Sequence, residues 1–561
     1  MVVMTKDKEQ VESMEEIEKK ENELQKVIVI HATEELQSFL IDILDFANNM
    51  NSEDELYSNR SYNVIFSLLS KIDIFTGVIE EKYIDRTYRD SYYMHFSCKH
   101  GQYSRFCKRL FIFKGDVFGK EPEQKFSDLN VDELQKKFIG TIVIRPLREG
   151  KVGRCLINPY FICKTESLYL RYAKYSATIC GMRFRINAFP FSMQDGETTA
   201  CAETTILNMM DYYSRKYSEY KSILPSEIAN IVEKNEFQRT LPTRGLKYDT
   251  ITKVFSEVGF YPRLYGKDVF ADMSQFKRVM HYYIESGIPI AIGAKVDEKT
   301  RHSIICIGHG KINNEDIGKK IYAIADAIQG EYIWIVDSAD LCQNYIMMDD
   351  GRTPYENCEW KAESTANIDK ADKYMLGDYE PEILMVPLYK RMFLEAQDAY
   401  DICTTALASC EIGIRNKEFG LDSIGTKENP IIIRLFMCSS RNFKQRRISN
   451  FSIKNKEARE MYNRLRFPRF VWVCEIYDNK GYCEGKAMGE IVIDATSSPY
   501  DGTKSILLLH YPYNILPCKR NFENASRLFE QSEMFNQVHE WEPFDRYDHN
   551  LFSPEKIMRK V

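Results

Sequence analysis

The chain has 561 residues, enough for about two to four domains. Its 44% hydrophobic and 28% charged residues are those of a globular protein and exclude a largely disordered or fibrous chain. A formal net charge of −6 excludes a global pull toward nucleic acid or anionic membrane, so any such binding has to come from a local patch.

Residues 1–25 are a mixed-charge stretch, expected as a solvated helix or a disordered extension. They lack the long apolar core and small-residue cleavage site of a secretory signal. No window approaches the roughly 18 apolar residues of a membrane-spanning helix. Fifteen cysteines, an odd number spread without a short framework, point to free thiols in a reducing compartment. A cytoplasmic location is expected.

Residues 26–185 read as an α+β domain. KVIVIHA (26–32), RLFIFKGD (109–116) and FIGTIVIRPL (138–147) are strand-like, and residues 33–47 and 61–76 have apolar positions at helical spacing. Residues 186–390 start with helices near Cys201, Ser226, Tyr248 and Met273, with Gly259 and Gly287 placed as helix C-caps. Strands follow at 288–296, 302–308, 332–336 and 345–348, which predicts a two-part α+β domain. Residues 391–561 open with a helix and continue strand-rich, at 430–437, 470–477, 489–496 and 505–513, with Asp478 to Gly481 as a candidate hairpin turn.

The chemistry concentrates between Gln194 and Asp349. After Cys201, apolar residues at Ala202, Ile206, Met209 and Tyr213 share one helical face, so Cys201 sits in the first turn, with Thr198 or Thr199 as cap. A helix N-terminus carries partial positive charge and favours a thiolate. His302 opens a short apolar strand, from which an imidazole can reach a helix packed beside it. The base needs an orienting oxygen on its other nitrogen. Asp337 and Asp349 both close strands. The Asp349-to-Tyr355 stretch, a strand running into a fixed turn, favours Asp349, with Asp337 as the alternative. Gln194, seven residues before Cys201, is placed to donate to an oxyanion together with the Cys201 backbone N–H.

Glutamine, then cysteine at a helix start, then histidine opening a strand and aspartate closing one, resembles the papain-like superfamily, and within it the C39-like bacterial cysteine peptidases, over roughly residues 186–360. The flanking regions resemble those of uncharacterised bacterial proteins with the same core. The resemblance implies a papain-like core between an α+β N-terminal domain and a strand-rich C-terminal one. It implies a Cys201–His302–Asp349 triad with Gln194 at the oxyanion, no cofactor, no metal, and an intracellular peptide or protein substrate. The large flanks point to substrate recruitment or to control, by a regulatory partner or in anti-phage defence. Ala202 stands where these families have glycine or tryptophan, which motivates a second reading, an inactive C39-like module that binds peptide.

Other histidines and cysteines are weaker candidates. His309 follows the apolar run and reads as a turn residue, and His281 lies within a helix. His95, Cys98, His100 and Cys107 are zinc-capable residue types, but their spacing matches no metal motif. Residues 441–469 carry ten Lys/Arg against two acidic residues, interleaved with Phe443, Phe451, Tyr462 and Phe467. Such a stretch is ordinarily a solvated face. A nucleic-acid-associated regulator acting through Arg441, Arg446 and Arg447 is the third reading. No Walker-type or dinucleotide-binding loop is present.

Overall fold

The computed structural model describes residues 25–560 apart from 32, 46–56, 102, 120–124, 164–166, 236–239, 326–331, 364–372, 409–423 and 518–535. The N-terminal extension expected at residues 1–25 lies almost entirely outside the described residues.

Helices and strands are mixed throughout, as an α+β reading requires. The first sheet is an antiparallel five-stranded meander whose spatial order follows the chain, Gln25–Ile30, Phe75–Tyr83, Cys107–Lys114, Phe138–Ile144 and Val152–Ile157. Phe138–Ile144 is buried on both faces, which its run of apolar residues accommodates. One face is covered by Thr33–Ile43 and Arg60–Leu69, whose apolar residues recur at helical spacing. Asn59 caps the second of these by accepting from the Tyr62 N–H.

The central sheet runs, in spatial order, Lys373–Leu376, Glu356–Glu363, Asn344–Met348, Arg301–His309, Ile290–Lys295, Glu380–Tyr389 and Phe260–Gly266. Every neighbouring pair in it is antiparallel. Gly259 and Gly287 do end helices in left-handed conformation, at φ 109° and 72°.

The third sheet corrects the expected membership of the strand at 332–336. Tyr332–Asp337 does not join the central sheet. It pairs in parallel with Ile431–Ser439, in the register Ile335↔Ile431, Val336↔Ile432 and Asp337↔Ile433. The sheet of the C-terminal region thus takes strands from both sides of residue 390, because an apolar run buried on both faces fits equally well inside either sheet. A second correction concerns Asp478 to Gly481. Asp478 caps the short helix Asn479–Glu484 by accepting from the Gly481 N–H at 2.7 Å, so this is a helix start and not a hairpin turn.

Two cores knit these sheets together. The meander shares its core with the buried face of the Cys201 helix, Ile206, Met209, Met210 and Tyr212. The central and third sheets share another, in which Tyr283 packs on Trp472 with ring centroids 5.8 Å apart. Among the described residues, no helix is long and apolar enough to cross a membrane.

Candidate active site

Cys201 is the first residue of the helix Cys201–Lys216 and is partly exposed. The cap differs from the expected one. Ala200 occupies the N-cap position, and Glu203 reaches back so that its carboxylate accepts from the Ala200 N–H at 3.2 Å. Thr198 and Thr199 are held by Asp195 instead. Its Oδ1 accepts from the backbone N–H of Glu197, Thr198 and Thr199 at 2.8, 2.6 and 2.9 Å. This Asx-type turn delivers the chain to the helix start. Thr243 anchors Glu203 from outside by donating to its Oε1 at 2.5 Å. Farther along, Arg154 grips Asp211 with two nitrogens, at 2.8 and 3.0 Å, and fastens the helix to the meander.

His302 is the second residue of Arg301–His309, beside the helix. Ser303 Oγ donates to Thr205 Oγ1 at 3.0 Å, which ties the residue after His302 to the helix one turn beyond Cys201. His302 Nε2 lies 2.8 Å from Asp349 Oδ1. Cys201 stands close enough to the same imidazole to favour its protonated form. Burial favours the neutral ring, but the hydrogen bond to Asp349, the nearby Cys201 side chain and the charges of Asp349 and Asp350 outweigh it and raise the His302 pKa to about 10.

Asp349 is wholly buried and fully partnered. Besides His302, its Oδ1 accepts from the Gly351 N–H at 2.9 Å and its Oδ2 from the Tyr379 hydroxyl at 2.5 Å. Burial pushes its pKa up, yet His302, Tyr379 and the Gly351 N–H together hold it below the usual carboxylate value. Asp349 therefore stays ionised against His302.

Asp350 differs. It too is buried, and its Oδ1 lies 3.4 Å from His302 Nε2. Neither carboxylate oxygen closes a hydrogen bond among the described residues. Burial raises its pKa to about 6, against the pull of His302 and of the Gln194 backbone N–H that faces it. His302, Asp349 and Asp350 bring one nitrogen and two carboxylate oxygens within 4.8 Å of one another, a donor set that a divalent cation can use.

Gln194 and Asp350 lie side by side in the wall of a cleft of about 1060 Å³ between the N-terminal region and the central sheet. The Gln194 main chain is fixed there. Arg145 donates to the preceding carbonyl, Met193 O, at 2.7 Å. Gly150, at φ 60°, packs so closely on Gln194 that a Cβ would come within 2.1 Å of its carbonyl oxygen. The Gln194 side-chain amide makes no hydrogen bond among the described residues and is available to a ligand.

The remaining candidates fall elsewhere. Asp337, the alternative orienting residue, is buried in the third sheet, where it caps Ser338–Leu341 and accepts from the Tyr282 hydroxyl. His281 and His309 gather instead around Cys342 and Glu285, with His309 Nε2 at 3.2 Å from Glu285 Oε1. Burial alone raises the Cys342 pKa, but hydrogen bonds from both imidazoles overcome it and the thiol is held below its ordinary range. That cluster is sealed from solvent. His95 pairs with Glu197 at 2.8 Å, Cys98 and His100 are exposed, and Cys107 is buried in a strand of the meander, so these four form no common site.

The basic stretch also needs correction. Arg447 is 1% exposed and bound to Glu475 and Glu490 in the interior. Phe443, Phe451 and Tyr462 are core residues, and only Arg441 and Arg446 of the three arginines face solvent. Of the four interleaved aromatics only Phe467 is partly exposed, so no run of aromatic faces is offered for base stacking.

Three residues of the site escape sequence reasoning: Tyr379, Asp350 and Tyr248. The Tyr248 hydroxyl is buried without a hydrogen-bond partner among the described residues and lies against Gly293. Its only signal in the sequence is a tyrosine at a helix start. No family model matches the chain, and no curated protein matches it.

Proposed function

We propose that this chain is a thiol hydrolase with a papain-like catalytic core, acting on the amide bond of a peptide or protein. The observation that carries the reading is that His302, held by Asp349 at 2.8 Å, stands on a strand that Ser303 and Thr205 tie to the start of the Cys201 helix. In this reading Cys201 Sγ attacks the carbonyl carbon and forms the C–S bond. His302 passes its proton to the leaving nitrogen as the C–N bond breaks. Water then attacks the thioester, His302 takes up its proton, and the C–S bond breaks to return the thiolate. Asp349 holds the ring in place and stabilises the imidazolium. The Cys201 N–H is one of the unpaired donors of a helix start, and with the unengaged Gln194 amide it is offered to the oxyanion. The 13 free cysteines among the described residues support an intracellular setting.

The test is turnover of an activated ester, p-nitrophenyl acetate, with mass spectrometry of the quenched enzyme. The reading expects an acetyl group on Cys201, its accumulation when deacylation is slow, and loss of turnover in Cys201→Ala. Undiminished turnover in that variant, or acetylation elsewhere, removes it and favours a module that binds peptide without cutting.

A further inference from the structure

The proton relay employs Asp349 and leaves Asp350 unused. Asp350 is 5% exposed, and neither of its oxygens closes a hydrogen bond among the described residues. The nearest cation, His302 Nε2 at 3.4 Å, is already committed to Asp349 at 2.8 Å. An ionised carboxylate buried in this state is costly, and such groups persist where a ligand brings the missing partner.

Asp350 faces the cleft described above, whose other acidic groups are differently placed. Asp45 pairs with Lys108 at 2.8 Å, and Asp195 is taken up by its own turn. Glu149 is exposed to water, as are the cations Arg60 and Arg148. Buried Lys151 donates to the Leu44 carbonyl at 2.7 Å. Asp350 is thus the buried carboxylate in the described wall whose oxygens close no hydrogen bond, with only the shared His302 and the exposed Arg60 as cations acting on it.

We propose that Asp350 is a specificity residue that binds a cationic side chain, lysine or arginine, in the leaving half of the substrate. This rests on the thiol-hydrolase reading. His302 hands its proton to the leaving nitrogen, Asp350 Oδ1 lies 3.4 Å from His302 Nε2, and Asp350 lines the cleft, so in this proposal the side chain next to the leaving nitrogen reaches Asp350 there. Gln194, next to Asp350, then serves the carbonyl side of the same bond. A guanidinium or ammonium group reaching Asp350 gains a charge-assisted hydrogen bond in a site largely shielded from water.

The test needs no known substrate. Cys201 is modified at low ionic strength with aminoethyl, ethyl and sulfonatoethyl methanethiosulfonate, which differ in charge. In each case the thiolate displaces methanesulfinate and forms a mixed disulfide. Rates at Cys201 are read by mass spectrometry, and the neutral ethyl reagent normalises for any change in thiol reactivity. The expected result is a cation-to-neutral rate ratio about tenfold higher in the wild type than in Asp350→Asn, with the preference retained in Asp350→Glu. Asp350→Asn removes a buried unpaired charge and is expected to fold, which a thermal melt verifies. A ratio that is the same in wild type and Asp350→Asn overturns the proposal while leaving Cys201 chemistry intact. Preference for the sulfonate in the wild type overturns it in favour of the cleft arginines. A Cys201 that is slow with all three reagents overturns the thiol-hydrolase reading and the proposal with it.

Discussion

The Tyr379 hydroxyl donates to Asp349 Oδ2 at 2.5 Å while Asp349 Oδ1 faces His302, so a residue from a turn beyond the Lys373–Leu376 strand holds the orienting carboxylate from behind. Arg352 Nε lies 3.5 Å from the same oxygen. Tyr379→Phe removes a hydrogen bond to a buried charge and is expected to cost about 1–3 kcal/mol of stability in urea unfolding. It also lowers Cys201 alkylation several-fold by loosening His302. Unchanged values of both in Tyr379→Phe contradict this role.

The pKa of His302 gives a stability signature with a definite sign. A free imidazole titrates near 6.5, and in the folded chain the pairing raises His302 to about 10. Below pH about 6.5 both folded and unfolded states hold the proton and the pairing contributes in full. As pH climbs from about 6.5 to about 10, the unfolded chain loses the proton that the folded chain keeps, and the contribution declines. Asp349 acts in the opposite sense. Its pKa is lowered, so its contribution is present above the usual carboxylate range and fades as acid protonates it. The urea-midpoint gap between wild type and His302→Asn is therefore widest near pH 6 and shrinks toward pH 10. A gap that does not vary with pH contradicts the pairing.

Arg447 and Arg446 are neighbours in sequence with opposite expected behaviour. Arg447 bridges Glu475 and Glu490, both wholly buried, and Arg434 links Glu475 onward to Glu285. Arg447→Ala leaves buried Glu490 without its cation and Glu475 with Arg434 alone, and is expected to destabilise by about 3–5 kcal/mol. Arg446→Ala, at an exposed position, is expected to stay within about 0.5 kcal/mol. Chemical denaturation of both variants distinguishes them, and equal effects contradict the buried network.

These contrasts mark what local sequence conveys. The helix start at Cys201 and the strand start at His302 are legible because apolar periodicity and turn residues act over a few positions. Asp337 and Asp349 look alike in sequence, since each closes a run of apolar residues. What separates them is pairing with strands far along the chain: Asp337 is carried into the third sheet by Ile433, whereas Asp349 follows a strand paired with the His302 strand itself. Arg447 is misleading for the same reason. Its charge pattern looks like a solvated face until Glu475 and Glu490, on two other strands, are brought beneath it. Tyr379 and Asp350 acquire meaning only when the central sheet closes around the imidazole.

The central claim is tested most directly by iodoacetamide alkylation across pH, read by mass spectrometry at each cysteine in wild type and His302→Ala. The account predicts that Cys201 reacts far faster than the exposed Cys98 and Cys483 and loses that advantage without His302. Cys342, although its thiol is held below its ordinary range, stays unlabelled because no solvent reaches it. A Cys201 no faster than Cys98 and Cys483, or one whose advantage survives His302→Ala, contradicts the account.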